Sequence, residues 1–386
     1  MEEIMPAKSL GILGGGQLGR FFTMAAQNMG YAVVVFDPDE KSPAGKIADK
    51  HICKPYNDLN ALDELKTDCS AVTTEFENVP AETLQYLEKD IIVRPSSKAI
   101  SIAQNRIKEK GFLKEFGIPI GTYVVIDSIE SINNLNTKIE IFPGILKTAQ
   151  FGYDGKGQIH VNNKTELEAA FKSFNSIPCT FELKIDLDCE FSIVLARTFN
   201  GEFMVYPLIR NQHESGILDC SLIYPNSIAE SLENQAIKLA KRITNELSYV
   251  GVMAVEFFLS GDTLFVNEIA PRPHNSGHFS IDACVYNQFD QQVLTLAGNE
   301  LGDEATKFPI SLMLNLLGDV WFRNGEQSEP KFELIAGSGI SLHLYGKAEP
   351  RIGRKMGHIT ILGTENQTQK DLMNKANTLR KILWEN

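Results

Sequence analysis

The chain has 386 residues, enough for two or three domains with cores of their own, and 43% hydrophobic and 22% charged residues mark an ordinary globular protein. A net charge of −12 excludes a general nucleic-acid binder but not a binder of small phosphorylated molecules, for which a few local cations or backbone amides suffice. The six cysteines form no C-x-x-C pair, no apolar run is long enough to span a bilayer, and the first residues lack a basic start, so a cytoplasmic protein with reduced thiols is expected.

In chain order, Ser9–Leu13 ("SLGIL") reads as a buried strand, followed by a glycine turn, a helix from about Gln17 to Met29, and the strand "YAVVVFD". Gly14, Gly16 and Gly19 satisfy G-x-G-x-x-G, and Asp37 follows 18 residues after the last of them. That is the outline of a dinucleotide fingerprint, so an NAD-dependent dehydrogenase is one candidate. The helix "LNALDELK", the strand "AVTTEFE" and the helix "AETLQYLEK" continue the alternation, which indicates a doubly wound parallel sheet running to about Ser96.

From Gln104 the character changes. A charged helix ends at Gly117, with Pro119 forbidding its continuation, and strands follow at "TYVVI" and "GILKTA". The stretch "QFGYDGKGQ" carries Gly152, Gly155 and Gly157 with Lys156 between them; it can fold over phosphates, although its spacing is not that of a Walker A loop. A helix from about Lys164 to Phe174, three strand-like segments and a long helix from about Ser231 to Leu247 come next.

The hairpin "GVMAVEFFLSGDTLFVNEIAPR" is the strongest local signal. With its turn near Asp262, Glu256 and Glu268 oppose each other on one face. Two like charges so placed call for a cation, and two carboxylates beside nucleotide phosphates suit Mg²⁺; a solvated face is the alternative. Asn267 points to the other face, or joins the site where the strand frays. Just beyond, "APRPHNSGH" gathers Arg272, His274, Asn275 and His278 on an irregular loop, a cluster that packing explains poorly. From about Phe308 the tail alternates strand-like and polar stretches. It concentrates Lys347, Arg351, Arg354 and Lys355, either a solvated face or a phosphate clamp.

Together, "GILGGGQLGR", "VTTEFENVP", "QNR", "GYDGKGQ", "GVMAVEFF", "NEIAPRPHNSGH" and "GRKMGH" resemble, in order, the ATP-grasp superfamily and within it the N5-carboxyaminoimidazole ribonucleotide synthases. The resemblance implies an α/β ATP-grasp fold with an N-terminal Rossmann-like (pre-ATP-grasp) parallel sheet over 1–104. An ATP-grasp domain over 105–300 follows, its flap at about 119–182, and a β-rich C-terminal domain over 301–386. It implies ATP- and bicarbonate-dependent carboxylation of 5-aminoimidazole ribonucleotide through carboxyphosphate, with Mg²⁺ (or Mn²⁺ in its place), in a homodimer whose product passes to a downstream mutase. No nucleic acid or membrane partner is implied.

By the same resemblance Arg106 and Lys147 contact the ATP phosphates, and Gly152, Tyr153, Asp154, Gly155, Lys156, Gly157 and Gln158 form the flap. Glu182, Leu183, Lys184 and Ile185 read adenine, Glu190 binds ribose, and His213 touches the nucleotide. Glu256 and Glu268 are the metal ligands, with Asn267 beside them. The ribonucleotide falls to Gln17, Leu18, Glu75, Tyr153, Asp154, Arg272, His274 and Asn275, and its 5′-phosphate to Lys347, Arg354 and Lys355. On chemical grounds, Mg²⁺ on Glu256 and Glu268, with Lys147, Arg272 and the flap, is expected to neutralise charge during transfer, and Asp154 is the candidate for orienting the amine or taking its proton. Cys189 departs from the family pattern, standing where a small residue is common. The glycine turn then becomes a wall of the ribonucleotide site and Asp37 a strand-end residue. The remaining alternatives are the dehydrogenase, a non-catalytic nucleotide-binding module, and another purine-pathway ligase such as a formate-dependent glycinamide ribonucleotide transformylase.

Overall fold

The structure is a computed structural model describing residues 3–135, 141–152, 156–323, 325–335 and 337–385. Strands β1 (Ser9–Leu13) and β2 (Ala32–Phe36) are runs of Leu, Ile, Val and Phe buried on both faces, which a sheet covered by helices on each side requires. With β3 (Lys50–Ile52), β4 (Ala71–Thr74) and β5 (Ile92–Val93) they form an all-parallel sheet in the order β3-β2-β1-β4-β5. The alternating connections carry α1 (Gln17–Asn28), α2 (Leu59–Asp68) and α3 (Ala81–Leu87), and α4 (Ser97–Ala103) follows β5. One face packs Leu10, Ile12, Val33 and Val35 under Phe21 and Phe22 of α1; the other packs Leu13, Val34 and Phe36 on Leu62 and Leu65 of α2.

Helix α5 (Arg106–Glu115) opens the second unit, capped by the Asn105 carboxamide on the Ile107 and Lys108 amides. Next come β6 (Tyr123–Ile126), α6 (Ile129–Asn133), β7 (Gly144–Thr148), β8 (Gln158–Val161), α7 (Lys164–Ser173) and β9 (Cys179–Leu183). Their strands make an antiparallel sheet in the order β6-β9-β7-β8. A larger sheet follows, from β10 (Cys189–Arg197), β11 (Phe203–Val205), β12 (Ile209–Glu214) and β13 (Ile217–Ile223), then, after α8 (Glu230–Glu246), β14 (Gly251–Ser260) and β15 (Thr263–Ala270). Helix α8 turns Ala236, Ala240 and Ile243 inward, one apolar stripe at helical spacing. After α9 (Ser280–Ala283), α10 (Gln288–Ala297) crosses to the N-terminal sheet. There Phe289, Val293 and Leu296 join the core beneath α1, so the two units share a core.

The C-terminal residues do not build a sheet of their own. Strand β16 (Ile310–Leu317), "ISLMLNLL", is apolar on both faces and sits between partners, pairing with β13 on one side. After the short ribbon of β17 (Phe322–Arg323) and β18 (Glu326–Gln327) come β19 (Ile340–Leu344) and β20 (Lys355–Gly363). The result is a nine-stranded sheet running β15-β14-β10-β12-β13-β16-β20-β19, with β11 on the edge of β10. The tail also ends in a helix, α11 (Gln369–Glu385), where alternating strand-like stretches are expected. Thr368 and Asp371 cap it reciprocally, and Leu372, Ala376, Leu379 and Leu383 bury one face against β16 and β20. No helix among the described residues is long and apolar enough to cross a membrane.

Candidate active site

The β14–β15 hairpin sets the geometry. Its turn is Gly261–Asp262, with Ser260 opposite Thr263, and that register alone would place Glu256 against Asn267. A β-bulge at Asn267 shifts the pairing, so that Glu268 stands opposite Glu256. The bulge, rather than a fraying strand, brings Asn267 to the carboxylates, and its Nδ2 donates to Glu256 Oε2 at 3.3 Å. Burial and then the like charge of Glu268 push the Glu256 carboxyl up to about 7.

Three cations approach from α5 and β7. Arg106, the first residue of α5, reaches Glu268 Oε2 with Nη2 at 3.2 Å. One turn on, Lys110 lies on the same helix face with its side chain 1% exposed, 3.3 Å from Glu182 Oε2, and Lys147 of β7 donates to that oxygen at 3.0 Å. Burial would raise the Glu182 carboxyl, but Lys147, Lys110 and Arg106 outweigh it and hold it at about 2. Glu109, also on α5, accepts from the Ile269 amide at 2.6 Å, and burial lifts its carboxyl to about 7. Leu183, Lys184 and Ile185 leave β9 as the link between the two antiparallel sheets, with Lys184 exposed.

On the large sheet Glu190 and Ser192 of β10 lie on the Glu256 face, since Ser192 pairs directly with Glu256. His213 Nδ1 stands 2.6 Å from Glu190 Oε2, opposite a bulge at Asp219 of β13. Burial opposes the charged imidazole, yet Glu190 and Glu256 together raise its pKa. Below, Ser192, Asn211, Ser221 and Ser276 form a buried hydrogen-bonded floor.

The loop after β15 completes the arrangement. Arg272 forms a two-point ion pair with Glu77, Nε to Oε2 and Nη2 to Oε1, clamping the loop to the N-terminal unit. His274 Nε2 lies 3.4 Å from Glu256 Oε1, and burial together with Arg272 keeps the ring neutral. His278 instead belongs to the core: it is fully buried against Phe21 and Phe289, and its Nδ1 meets Gln288. Packing accounts for its ring and Nδ1, while Nε2 is buried without a partner among the described residues.

At the glycine turn the Glu75 carboxylate accepts from the Gly16 and Gly19 amides, each at 2.6 Å, and Asp37 accepts from Gly15 at 2.7 Å. A Cβ on Gly16 would stand 2.4 Å from Glu75 Oε1, so the glycine is needed for this close approach. Asp37, just past β2, also accepts from the Tyr56 hydroxyl, and the turn offers a pyrophosphate little that is not already taken. Leu18 is a core residue, and Gln17 opens α1 beside it. From the C-terminal unit, Lys347 donates to the Lys355 carbonyl at 2.6 Å and partly offsets the burial that raises the Glu75 carboxyl to about 6, while Lys355 helps Arg272 hold the Glu77 carboxyl down. The Arg354 guanidinium is held by the Glu349 carbonyl at 2.8 Å.

Gly152, Lys156, Gly157 and Gln158 flank the flap, and Tyr153, Asp154 and Gly155 lie outside the described residues. Gly157 has a φ of +73°, and a Cβ there would come within 2.6 Å of Thr148 Oγ1. Sequence reasoning missed Lys110, Glu109 and Glu77. Lys110 had one signal, its four-residue spacing from Arg106 on a helix; Glu77 had none beyond its place in "TTEFEN".

Several buried polar atoms here have no partner among the described residues: Arg106 Nη1, Asn267 Oδ1, and both amide atoms of Asn275. Each such group costs about 1–3 kcal/mol when left unpaired, which marks capacity kept for a ligand.

Three family descriptions match in chain order: a ribonucleotide synthetase preATP-grasp domain over 7–104, an ATP-grasp domain over 111–289, and a phosphoribosylaminoimidazole carboxylase C-terminal domain over 311–371. The N5-carboxyaminoimidazole ribonucleotide synthase of Staphylococcus aureus (strain COL) is 37% identical over 95% of this chain and 96% of its own. A solved N5-carboxyaminoimidazole ribonucleotide synthetase in complex with ADP superposes with a TM-score of 0.90 at 36% identity, covering 100% of this chain and 99% of that one. The Aspergillus clavatus synthase in complex with ADP and 5-aminoimidazole ribonucleotide gives 0.85 at 26% identity, covering 97% and 99%. These matches set aside the dehydrogenase and the transformylase. With 95% of its length aligned at this identity and all three units matched in order, the chain belongs to the N5-carboxyaminoimidazole ribonucleotide synthase family of ATP-grasp ligases.

Proposed function

We propose that this protein couples ATP cleavage to carboxylation of 5-aminoimidazole ribonucleotide, giving N5-carboxyaminoimidazole ribonucleotide, ADP and phosphate in purine biosynthesis; relatives are named for that product, and one is solved with ADP and 5-aminoimidazole ribonucleotide. The observation that carries this reading is the unused polar capacity of Arg106 and Asn267 at the Glu256–Glu268 pair, with that of Asn275 next to His274.

Bicarbonate is a poor electrophile. Attack of its oxygen on the γ-phosphorus expels ADP and leaves carboxyphosphate; the amine nitrogen then attacks the carboxyl carbon, phosphate departs and the amine gives up a proton. Phosphoryl transfer of this kind needs positioning and charge neutralisation more than covalent help. Arg106 and Lys147 are placed to exchange Glu268 and Glu182 for phosphate oxygens, and the anchored Arg272 holds a cation beside His274 and Glu256.

A Mg²⁺ ion, or Mn²⁺ in its place, fits the donors present. Glu256 and Glu268 offer hard oxygens at a like-charge pair, and Asn267 Oδ1 is buried without a partner. When bound, the ion neutralises phosphate charge. Glu190 and His213 are assigned to the nucleotide ribose side, and Glu182 to Ile185 to the adenine. Gln17, Leu18, Glu75, His274 and Asn275, with Lys347, Arg354 and Lys355 around the 5′-phosphate, are assigned to the ribonucleotide. A cytoplasmic homodimer feeding a downstream mutase completes the reading.

The test is ¹³C NMR of a reaction containing [¹³C]bicarbonate, ATP, Mg²⁺ and the ribonucleotide. A carbamate resonance that needs all four components is expected. Its absence while ATP is consumed would refute the carboxylation.

A further inference from the structure

Away from these residues a second cluster lies where the three units meet. Strands β19 and β20 pair so that His343 stands opposite His358, with the rings stacked 4.6 Å apart. Asp282 of α9 approaches from the ATP-grasp side, its Oδ2 2.9 Å from His343 Nε2. Phe21 of α1 closes the cluster from the N-terminal unit, 6.0 Å from each of the two histidine rings.

His358 is fully buried, and its two nitrogens are treated unequally. Nδ1 meets the hydroxyl of Tyr345, itself fully buried, at 3.0 Å, whereas Nε2 is buried with no partner among the described residues. An Asp–His strut would account for Asp282 and His343 but leave a desolvated imidazole nitrogen unused. One candidate ligand atom from each of Asp282, His343 and His358 lies within 4.8 Å of the other two.

We propose that Asp282, His343 and His358 form a binding site for a transition-metal cation of the Zn²⁺ class, joining the ATP-grasp unit to the C-terminal end of the large sheet. Two imidazoles and one carboxylate favour Zn²⁺, Co²⁺ or Ni²⁺ over Mg²⁺, which prefers oxygen donors. Three protein donors leave a fourth position for water. Donor atoms around a tetrahedral Zn²⁺ stand about 3.3 Å apart, given bonds of about 2.0 Å. Asp282 and His343 are already within that spacing, and His358, whose donor atom lies within 4.8 Å, turns out of its stack with His343 on binding so that the two lone pairs converge. In the metal-binding tautomer His358 carries its proton on Nδ1 and donates it to the Tyr345 hydroxyl, which leaves the Nε2 lone pair for the ion. His278 stacks 4.9 Å from His358 as packing. None of the three donors belongs to the nucleotide or ribonucleotide assignments, so the metal's role here is structural.

The experiment uses the full chain, stripped with chelator, held in Mg²⁺-free buffer and titrated with Co²⁺. One equivalent with the visible absorption of four-coordinate Co²⁺ is expected, and it persists in a Glu256→Gln/Glu268→Gln variant that lacks the nucleotide-metal pair. Asp282→Asn and His343→Gln lose the band, while His343→Cys keeps binding and adds a thiolate charge-transfer band. Zn²⁺ raises the melting temperature of the wild type and of the Glu256/Glu268 variant, but not of Asp282→Asn. No Co²⁺ band in the wild type, an undiminished band in folded Asp282→Asn, or loss of the band only with Glu256 and Glu268 would overturn the site. Should His343→Gln fail to fold, His343→Cys decides.

Discussion

At the glycine turn the amides of Gly15, Gly16 and Gly19 are taken by Asp37 and Glu75, so a motif that elsewhere grips a pyrophosphate is satisfied from within. At the carboxylate hairpin the balance is reversed: Glu256 and Glu268 are forced together by a bulge, and Arg106 Nη1, Asn267 Oδ1 and Asn275 keep unused capacity. Both regions concentrate polar groups around a strand end. The second sets two facing carboxylates beside partnerless polar atoms, a problem that a cation and its ligand would resolve, and it is there that we place the phosphoryl chemistry.

The comparison breaks most sharply at the hairpin. Glu268→Gln should cut kcat/KM by about 10³-fold or more, equivalent to about 4 kcal/mol of lost transition-state stabilisation, while the circular dichroism stays native. Wild-type turnover at limiting Mg²⁺ would remove Glu268 from the metal site. Next in size, Lys347→Ala combined with Arg354→Ala should raise the ribonucleotide KM by about 10- to 100-fold, at about 1.5–3 kcal/mol for charged contacts, and the ATP KM much less. Equal changes in both constants would count against the clamp.

The glycine turn answers in stability. Glu75→Ala strips the acceptor from two helix-start amides and should cost about 2–4 kcal/mol in urea unfolding. NADH should bind neither form, and tight NADH binding to the wild type would reopen the dinucleotide reading.

Glu109 gives the smallest effect and sets a pH window. Its carboxyl stands at about 7 when folded against an ordinary 4.5, so the folded chain holds a proton that the unfolded chain releases between those values. Its contribution to stability is fullest below pH 4.5 and is lost as pH rises through 7. Glu109→Gln, which keeps an acceptor for the Ile269 amide, should therefore gain on the wild type by about 2–3 kcal/mol between pH 5 and pH 8. A constant difference across that range would deny the burial penalty.

Much of this is legible in the sequence, for identifiable reasons. The parallel N-terminal sheet follows from apolar runs alternating with helices, and the opposition of Glu256 and Glu268 from hairpin spacing, although the two-residue turn reaches it only with a bulge that spacing does not reveal. Lys110 with Glu182, and Arg272 with Glu77, are pairings between distant segments that only the assembled units create. His278 looks chemical beside His274, yet a 3₁₀ turn carries it into the core under Phe21. The apolar face of α11 recurs at helical spacing in a tail whose preceding strands suggest otherwise. Glycine spacing likewise reports a tight strand-to-helix turn without saying what fills it.

The central claim, that the unmet polar demand around Glu256 and Glu268 serves an ATP-driven carboxylation of the ribonucleotide, is tested most directly by ADP release with bicarbonate present, in the presence and absence of 5-aminoimidazole ribonucleotide. Release should rise sharply with the ribonucleotide and collapse in Glu268→Gln. Release that ignores the ribonucleotide, or that survives the loss of Glu268, would contradict it.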